Sequence, residues 1–397
     1  MKVLMIAPQP FFQPRGTPFS VLHRLTALSK LGYRVDLVTY PLGENVAIDG
    51  VTIHRSAPVP FVRQIAIGPS KAKIFLDTLL YRKAVSLLEK SRYDLIHTHE
   101  EAGFFGVRLT KTFRTLHLYD MHSSLPQQLK NFKYSRSKVL MRIFERLEDR
   151  TINSAHAVIT ICPELFYYVK ERFPEKYNKL IENVADNSLV FGEKAAEDKI
   201  TEQLNLNGDR VVLYTGTFEP YQGLNLLIDS SRMVLDNHNH VRFVVVGGKP
   251  EQVDFYKRKA ATVGVEKNFT FTGQVPPQSI PHFMNFAKVL VSPRVDGNNT
   301  PLKIYSYLRS GVPIVATRHI THTQVLNDEV SVLTDCKADA FGRGILSVLD
   351  DKNYAERIGK NAQALAEREY SYDAYLKKTR EIYKYLENLV RSRKARA

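Results

Sequence analysis

Short runs rich in valine, isoleucine and leucine alternate with longer amphipathic stretches along this chain of 397 residues. The apolar runs are continuous, which is typical of strands that are buried on both faces of a parallel sheet and connected by helices. The first series of predicted strands comprises Val3–Ala7, Val35–Tyr40, Val51–His54, Asp94–Thr98, Thr115–Asp120 and Ala157–Ile161. The second comprises Val211–Thr215, Arg242–Gly247, Phe269–Thr272, Val289–Ser292, Ile314–Thr317 and Val330–Thr334. The pattern predicts an α/β fold.

An acidic, polar stretch near Gly192–Asn207 separates the two series of strands. A chain of this length is also longer than one ordinary hydrophobic core encloses. We therefore predict two tandem Rossmann-like domains, each a doubly wound parallel sheet, over residues 1–190 and 191–370. Residues 371–397 form a predicted amphipathic helix with a basic tail.

The segment from Asn298 to Thr317 carries the clearest local signal in the chain. It combines a polar loop, a proline, a short predicted helix, a glycine stop at Gly311 and a buried strand. In a doubly wound sheet such a unit directs the free N–H groups of the helix N-terminus into the crevice at the carboxyl ends of the strands, where oriented dipoles stabilise an anion. We therefore predict a site for a phosphate-bearing ligand here.

Other loops that follow predicted strands contain glycine. Gly16 follows the first strand and is either a position where a ligand approaches the backbone closely or a simple turn glycine. In the second half, Gly216–Gly223 and Gly247-Gly248 follow successive strands. Neither of these loops matches Gly-x-Gly-x-x-Gly or the phosphate-binding loop that ends in Gly-Lys-Ser/Thr, so a nicotinamide or ATP site lacks its usual signature.

The charge of the chain is concentrated in its first half. The formal net charge is +15, and residues 1–180 hold 27 Lys and Arg against 15 Asp and Glu. One segment has basic residues interleaved at helical spacing with Val139, Leu140, Ile143, Phe144 and Leu147. It either lies on anionic lipid or packs its apolar stripe on its own domain, and it matches no nucleic-acid recognition motif. Its basic residues are Lys130, Lys133, Arg136, Lys138, Arg142, Arg146 and Arg150.

Cysteine usage and hydropathy bear on the compartment. The two cysteines, Cys162 and Cys336, lie in different predicted domains, so a disulfide is not expected and a reducing compartment fits. No apolar run approaches membrane-spanning length, and Met1–Ala7 is too short for a signal peptide. We expect a cytoplasmic protein, peripheral at the inner face of the cell membrane if the basic half binds lipid. No Asp-x-Asp motif or cluster of histidine or cysteine ligands stands out, so neither metal nor cofactor is expected.

An ordered set of landmarks resembles the large retaining glycosyltransferase family numbered four, which is built on the GT-B fold of two Rossmann-like domains. The resemblance covers the chain from Met1 to about Leu386. The landmarks are Gly32–Val35, Asp49–His54, Asp94–His99, Asp120–His122, Asn183 with Asp186, Tyr214–Gly216 with Gly223, Phe271–Gly273, and Asn298–Thr317.

The resemblance implies a metal-independent, hexosyltransferase-like enzyme that moves a sugar from a nucleotide-sugar donor to an acceptor. It places the nucleotide on the C-terminal domain and the acceptor on the N-terminal domain. It also implies that the helix over 371–397 crosses back toward the N-terminal domain.

The chain departs from the family pattern at four positions. The family's two glutamates, eight positions apart, are Asn298 and Ser306 here, and a serine cannot hold the ribose diol with two carboxylate oxygens. The Arg and Lys that neutralise the pyrophosphate after the first strand of the C-terminal domain are Thr217 and Gln222. Two expected cations are therefore missing. Each positively charged residue nearby either takes the place of one of them or is a solvated surface charge.

The leaving nucleoside diphosphate develops negative charge, so other groups have to stabilise it. We predict that Arg294, Lys303 and the backbone N–H groups of Leu302 and Lys303 do so, with Arg15 contributing from across the cleft. The full set of predicted donor-binding residues is Gly16, Thr217, Gln222, Gly247, Arg294, Asn298, Asn299, Thr300, Leu302, Lys303 and Ser306.

His122 is the predicted catalytic residue, because it follows a strand at the position where family members place a histidine that touches the donor sugar. Its near-neutral intrinsic pKa suits proton exchange. The predicted acceptor-side residues are Arg15, His97, His99 and Asp120.

Three functional hypotheses follow from these residues. The first is a retaining transferase that acts on a cell-envelope, lipid-linked or polysaccharide acceptor. The second is a nucleotide-sugar epimerase or hydrolase on the same fold. The third is a non-catalytic nucleotide-sugar-binding protein, which the missing glutamate and cations favour.

Overall fold

The computed structural model describes residues 1–13, 16–60, 62, 65, 71–126, 138–184, 204, 206 and 208–396. The chain divides into two compact units, Met1–Asn183 with Tyr375–Ala397 and Val184–Ala374. The first unit therefore contains most of the C-terminal helix as well as the N-terminal half of the chain.

The first unit is built on a seven-stranded parallel sheet of order β3-β2-β1-β4-β5-β6-β7. All six strands predicted in this half are present, and a short seventh strand at the sheet edge was not predicted. The strands are β1 Lys2–Ala7, β2 Arg34–Thr39, β3 Val51–Arg55, β4 Leu95–His99, β5 Leu116–Met121, β6 Ala157–Thr160 and β7 Asn178–Leu180.

Helices cover both faces of this sheet. Leu4 and Ile6 of β1 pack in one cluster with Leu76 and Leu80 of the long helix α2, and the opposite face receives the first helix and the C-terminal helix through contacts described below. The helices of the unit are α1 Gly16–Lys30, α2 Lys71–Lys90, α3 Ala102–Phe113, α4 Lys138–Ser154, α5 Pro163–Arg172 and, at the C-terminus, α13 Tyr372–Arg396.

The second unit holds a six-stranded parallel sheet of order β10-β9-β8-β11-β12-β13. All six strands predicted here are present. They are β8 Arg210–Thr215, β9 Val241–Val246, β10 Phe269–Gly273, β11 Ala287–Ser292, β12 Ile314–Thr317 and β13 Val332–Thr334. The helices are α6 Leu224–Asn237, α7 Pro250–Val263, α8 Ile280–Phe286, α9 Leu302–Ser310, α10 Ile320–Thr323, α11 Ala338–Asp350 and α12 Lys352–Tyr370.

Alternate residues of β8 enter different hydrophobic clusters. Val211 and Leu213 pack with residues of α8, α9 and α12, whereas Val212 and Tyr214 pack with residues of α6, α7 and α11. Both faces of the sheet are thus covered by helices, which confirms the prediction of doubly wound parallel sheets.

In each unit the strand order reverses beside the first strand, between β1 and β4 and between β8 and β11. Ligands of such folds bind outside the carboxyl ends of the strands at this point. Among the described residues, none of the helices combines the length and the apolar character that crossing a membrane requires.

Candidate functional site

Two glycines bring neighbouring loops together at the carboxyl edge of the second sheet. Gly216 follows β8, and Gly247 follows β9 with a φ of +119°. A Cβ on Gly247 would lie 1.9 Å from the carbonyl oxygen of Gly216, so the close approach of the two loops requires glycine there. This contact forms one side of the candidate donor site.

Helix α9 forms another side of the donor site and has the geometry that the sequence predicted. It begins at Leu302 after Pro301, ends at Gly311 with a φ of +71°, and leads into the buried strand β12. Leu302 and Lys303 lie in its first turn, where backbone N–H groups have no partner within the helix. The preceding loop is held in place because Gln324 donates a hydrogen bond to the carbonyl of Asn298 at 2.6 Å.

Lys303 directs its side chain toward the end of β8. Its Nζ atom lies 3.7 Å from the centroid of the Tyr214 ring and 3.5 Å from the position of a Cβ on Gly216. The ammonium is buried and makes no hydrogen bond within the described part of the chain. Burial, with Arg294 nearby, holds the pKa of Lys303 well below its usual range.

Arg294 is the second cation of this site. Its Nε donates to the backbone carbonyl of Asp296 at 2.7 Å, and its guanidinium lies 5.0 Å from the centroid of the Tyr221 ring. Burial lowers the pKa of Arg294. Since Tyr214 and Tyr221 flank the loop after β8, both cations lie beside that loop.

The two residues that replace the family's cations lie in this same loop. Gln222 and Thr217 contact each other at 3.5 Å, and the Tyr214 hydroxyl donates to the carbonyl of Thr217 at 2.7 Å. Gln222 Oε1 and the Thr300 hydroxyl are buried without a hydrogen-bond partner among the described residues. The edge therefore offers two cations and polar atoms that are left for a ligand.

The structure brings together the predicted donor-binding residues of the second unit at this carboxyl edge, on the loops that follow its strands and on α9. They are Thr217, Gln222, Gly247, Arg294, Asn298, Asn299, Thr300, Leu302, Lys303 and Ser306. Gly16 is the first residue of α1 in the other unit, and Arg15 lies outside the described residues.

The first unit contains a buried polar cluster at the ends of β4 and β5, formed by Arg24, His97, His99, Asp120 and His122, which we call the histidine cluster. Asp120 Oδ2 lies 3.1 Å from Arg24 Nε, 3.3 Å from His97 Nε2 and 3.7 Å from His99 Nδ1. Asp120 Oδ1 lies 3.4 Å from His122 Nε2, which is also 2.9 Å from His99 Nδ1.

The C-terminal helix completes the histidine cluster. The Tyr383 hydroxyl lies 2.8 Å from His97 Nδ1, and Arg24 Nη1 donates to the Thr379 hydroxyl at 3.1 Å. Both α13 residues are fully buried. The helix thus contributes side chains to the interior of the first unit.

Charge in the cluster is fixed by Asp120 and Arg24. Burial by itself would raise the pKa of Asp120, but Arg24 and the neighbouring histidines hold that pKa well below its usual range. Burial lowers the pKa of His122 to about 4, against the opposing attraction of Asp120. At neutral pH the cluster therefore holds an aspartate anion, an arginine cation and neutral imidazoles.

His97, His99 and Asp120 also have the composition of a metal site, with ligand atoms within 4.8 Å of one another in the described part of the chain. These residues meet only in the fold, so the expectation that the chain has no cluster of histidine ligands is wrong for this group. Arg24 lies 3.1 Å from the same carboxylate, so a metal ion at this position would be repelled by the guanidinium, and the absence of a metal stays a prediction.

The predicted acceptor-side residues lie deep in the unit. His97, His99 and Asp120 are fully buried, and His122 is 4% exposed. Their contact with an acceptor stays a prediction. The burial favours a supporting role for the first three, beneath His122.

One carboxylate near the cluster was not predicted as a site residue. Glu148 of α4 accepts hydrogen bonds from the Ser124 hydroxyl, the Leu125 N–H and the Tyr168 hydroxyl, and so holds the loop that follows His122. Burial raises the pKa of Glu148 to about 7. The basic, amphipathic character of α4 concealed this inward-facing acid in the sequence.

A second acidic group follows β4. Glu100 accepts from the Thr17 hydroxyl at 3.1 Å, and Asp77 accepts from the Tyr40 hydroxyl at 2.5 Å. Burial raises the pKa of both Glu100 and Asp77 to about 7. Glu100 and Asp77 are far apart in the sequence, and the fold brings them close enough for the charge of Asp77 to act on Glu100.

The basic helix α4 is partly packed and partly exposed. Phe144 packs on Phe104 of α3 with ring centroids 6.4 Å apart, whereas Val139 and Ile143 are 67% and 47% exposed. On α2, Ile74 and Phe75 are likewise 71% and 56% exposed. Part of the apolar stripe therefore packs on its own unit, and contact of the exposed part with lipid stays a prediction; Lys130, Lys133 and Arg136 lie outside the described residues.

Comparison with known proteins agrees with the sequence landmarks and the fold. The model of Glycosyltransferase Family 4 matches residues 14–186, and that of Glycosyl transferases group 1 matches residues 196–365. Together the two models span most of both units.

Individual proteins match over nearly the whole chain. An uncharacterised glycosyltransferase of Methanocaldococcus jannaschii is 24% identical over 369 residues, 90% of this chain and 91% of the relative. The phosphatidyl-myo-inositol mannosyltransferase of Mycobacterium tuberculosis is 22% identical over 394 residues, 96% of each chain. The crystal structure of Anabaena HepE in complex with UDP-glucose has a TM-score of 0.75 at 18% identity, covering 97% of this chain and 100% of that one.

Proposed function

This chain belongs to the family 4 glycosyltransferases with the GT-B fold, and from that membership we propose that it transfers a hexose from a nucleotide-sugar donor, with retention, to a cell-envelope acceptor. The donor nucleotide binds at the carboxyl edge of the second sheet, between α9 and the loop after β8. Lys303 and Arg294 replace the two family cations whose positions are occupied by Thr217 and Gln222.

The buried ammonium of Lys303 carries this proposal. A buried amine without a hydrogen-bond partner is unfavourable, and a diphosphate beside it would supply the missing countercharge. Arg294 is held against Tyr221 on the same loop, where it adds a second positive charge. Together these two residues provide the charge stabilisation that other phosphoryl sites obtain from a metal ion, which supports metal-independent transfer.

Calorimetric titration with UDP, GDP and UDP-glucose tests the donor site. The wild type should bind at least one of them, and Lys303→Gln and Arg294→Gln should each weaken binding by about 10-fold to 100-fold, as expected for a lost charge-assisted contact. Lys288→Gln is the matched control, because Lys288 is exposed on β11 and lies away from the loop after β8.

Absence of binding for every nucleotide would contradict the donor site, and unchanged affinity in both variants would contradict the roles of the two cations. Turnover separates the three functional hypotheses. Release of free sugar or an epimer without acceptor would identify a hydrolase or epimerase. Nucleotide binding with no turnover across lipid-linked and polysaccharide acceptors would identify a binding protein.

A lipid-linked or membrane-proximal acceptor is supported by the surface of the first unit. The first two turns of α2 and of α4 expose four apolar side chains, which we call the apolar rim. They are Ile74, Phe75, Val139 and Ile143. Helices that connect parallel strands begin at the carboxyl edge of the sheet, so the rim lies at the same edge as His122. Exposed Arg142 and Arg146 on α4 complement an anionic surface. The mycobacterial relative carries a lipid, phosphatidyl-myo-inositol, in its name.

Co-sedimentation with phosphatidylglycerol-containing vesicles and with pure phosphatidylcholine vesicles tests the membrane contact. The protein should bind the anionic vesicles selectively, and a Phe75→Ser and Ile143→Ser double variant should lose most of that binding. Phe255→Ser is the control, since Phe255 is 51% exposed on the second unit. Equal binding by the double variant and the control would rule out the apolar rim as the contact surface.

A further inference from the structure

The histidine cluster fixes which nitrogen of His122 carries the proton. We propose that Asp120 is the positioning residue of His122 and holds it as the Nε2–H tautomer, with the C-terminal helix completing the arrangement through Tyr383 and Thr379. The consequence for catalysis rests on the proposed function, because it assumes that His122 touches the reacting sugar.

The two oxygens of Asp120 have different partners. Oδ2 accepts hydrogen bonds from Arg24 Nε at 3.1 Å and from His97 Nε2 at 3.3 Å. Oδ1 makes no hydrogen bond of good geometry among the described residues, and the atom that faces it is His122 Nε2 at 3.4 Å. A lone pair on Nε2 would be repelled by this carboxylate oxygen, whereas an N–H would be attracted.

The contact between His99 and His122 leads to the same assignment. His99 Nδ1 and His122 Nε2 are 2.9 Å apart, so one of them donates a hydrogen bond to the other. A proton on His99 Nδ1 would face Asp120 Oδ2, which is 3.7 Å away and already has two donors. A proton on His122 Nε2 faces Oδ1, which is nearer at 3.4 Å and accepts no hydrogen bond from other described residues. The position of Asp120 Oδ1 therefore favours the second arrangement, which places the lone pair of His122 on Nδ1 and the remaining proton of His99 on Nε2, an atom that is buried without a partner among the described residues.

The C-terminal helix fixes the remaining members of the cluster. His97 Nε2 donates to Asp120, so His97 Nδ1 accepts from the Tyr383 hydroxyl at 2.8 Å. The Thr379 hydroxyl accepts from Arg24 Nη1 and keeps the guanidinium against the carboxylate. Tyr383 and Thr379 thus orient both groups that hold Asp120 Oδ2, and Asp120 orients His122.

Asp120→Asn would reverse the tautomer rather than merely weaken the contact. Arg24 and His97 both donate to the Oδ2 position, so the amide oxygen would occupy it and the amide NH₂ would face His122. His122 Nε2 would then have to accept, and the proton shared with His99 would move to His99 Nδ1. A carboxylate-to-amide change beside a catalytic histidine is known to act through the wrong tautomer in this way.

Nitrogen-15 NMR of the full-length protein with labelled histidine tests the proposal directly. In the wild type at pH 7.5, we expect His122 Nε2 to show the chemical shift and N–H coupling of a protonated nitrogen and Nδ1 those of a lone-pair nitrogen. The signals are assigned by their loss in His122→Gln. Asp120→Asn should exchange the two signatures, and Asp36→Asn should leave them unchanged, because Asp36 holds a different histidine, His54, at 2.9 Å.

A protonated Nδ1 on His122 in the wild type would overturn the proposal. Apart from His122→Gln for the assignment, this measurement needs no variant and no substrate, so it holds even if Asp120→Asn does not fold, and it is independent of nucleotide binding. Identical spectra of wild type and folded Asp120→Asn would also overturn it.

Kinetics then test the link to function. Asp120→Asn should lower kcat by about 100-fold or more with little change in the KM for the donor. Tyr383→Phe should lower kcat by a smaller factor, since it removes one donor from the far side of His97. If Asp120→Asn exchanged the NMR signatures but kept its kcat, the tautomer assignment would stand and the catalytic role of His122 would be rejected.

Discussion

The ammonium of Lys303 lies 3.7 Å from the ring centroid of Tyr214, which is the penultimate residue of β8. The aromatic face attracts the cation, but no hydrogen bond within the described part of the chain satisfies it. Burial of this amine without a hydrogen-bond partner among the described residues therefore lowers the stability of the free protein.

Lys303→Met should stabilise the free protein while removing nucleotide binding. Methionine has a similar length, packs well on an aromatic ring and needs no hydrogen bond. Removal of a buried, unpartnered polar group is worth about 1 kcal/mol, which raises the midpoint of thermal unfolding by roughly 2–4 °C in a unit of this size.

Differential scanning calorimetry without ligand and with UDP or GDP measures both effects. Lys288→Met is the control and should change neither the midpoint nor its shift with ligand. A lower midpoint for Lys303→Met than for wild type would show that the ammonium is better satisfied in the fold than the structure indicates.

The sheets were predictable because their strands are continuous apolar runs. β7 was missed because Asn178–Leu180 is short, half-buried and polar, as an edge strand often is. That the predicted donor-binding residues of the second unit meet at one edge was predictable, since loops at the ends of neighbouring parallel strands converge there; their binding of a donor stays a prediction. What the sequence did not show is that Lys303 reaches across to Tyr214.

The histidine cluster shows how far sequence reasoning reaches. His97 and His99 share a face because strand side chains alternate, and His99 pairs in register with Asp120 on β5. Arg24 and Tyr383, however, come from helices far away in the chain, and only the packing of α1 and α13 brings them to Asp120. Without them the group resembles a metal site rather than a charged, hydrogen-bonded cluster.

Substitution by alanine should destabilise the protein strongly at one glycine and very little at another. Gly247→Ala should lower the free energy of unfolding by about 3 kcal/mol or more, because its Cβ would lie 1.9 Å from the Gly216 carbonyl at a φ of +119°. Gly16→Ala should change it by less than about 0.5 kcal/mol, because no atom of the described residues lies within 4 Å of the Cβ position. Urea unfolding of both variants checks this.

Gly16→Ala also tests close approach of a ligand. If a substrate contacts this backbone, turnover should fall while stability is unchanged. If turnover is unchanged as well, Gly16 is a turn glycine only. Loss of stability in Gly16→Ala would contradict the open surroundings of this residue.

Asp77→Asn should stabilise the protein above pH 7 and have little effect near pH 4. Burial raises the pKa of Asp77 to about 7, so the folded protein binds a proton that the unfolded chain releases near its ordinary pKa. Stability from this group is therefore full below about pH 4 and is lost as pH rises toward 7. Asparagine removes this loss and still accepts from the Tyr40 hydroxyl, for a gain of roughly 1–2 kcal/mol at pH 8.

Thermal unfolding of wild type and Asp77→Asn from pH 4 to pH 8 measures the difference. Asp36→Asn should change the stability in the opposite direction. Burial by itself would raise the pKa of Asp36, but hydrogen bonds from His54 and Tyr93 lower it overall, so this variant should lose stability at pH 7. A constant difference between wild type and Asp77→Asn across the range would mean that Asp77 titrates normally.

Ser306→Glu should strengthen nucleoside diphosphate binding by roughly 10-fold, because it restores a carboxylate that can accept from both ribose hydroxyls. The position suits this change, since Ser306 lies one helical turn beyond Lys303 on α9 and is only partly buried. Calorimetric titration should show the gain for UDP or GDP and none for inorganic pyrophosphate, which lacks the ribose. Ser310→Glu, at the last residue of the same helix, controls for added charge. Equal gains for pyrophosphate and nucleotide, or weaker nucleotide binding, would mean that the ribose does not lie against this turn of α9.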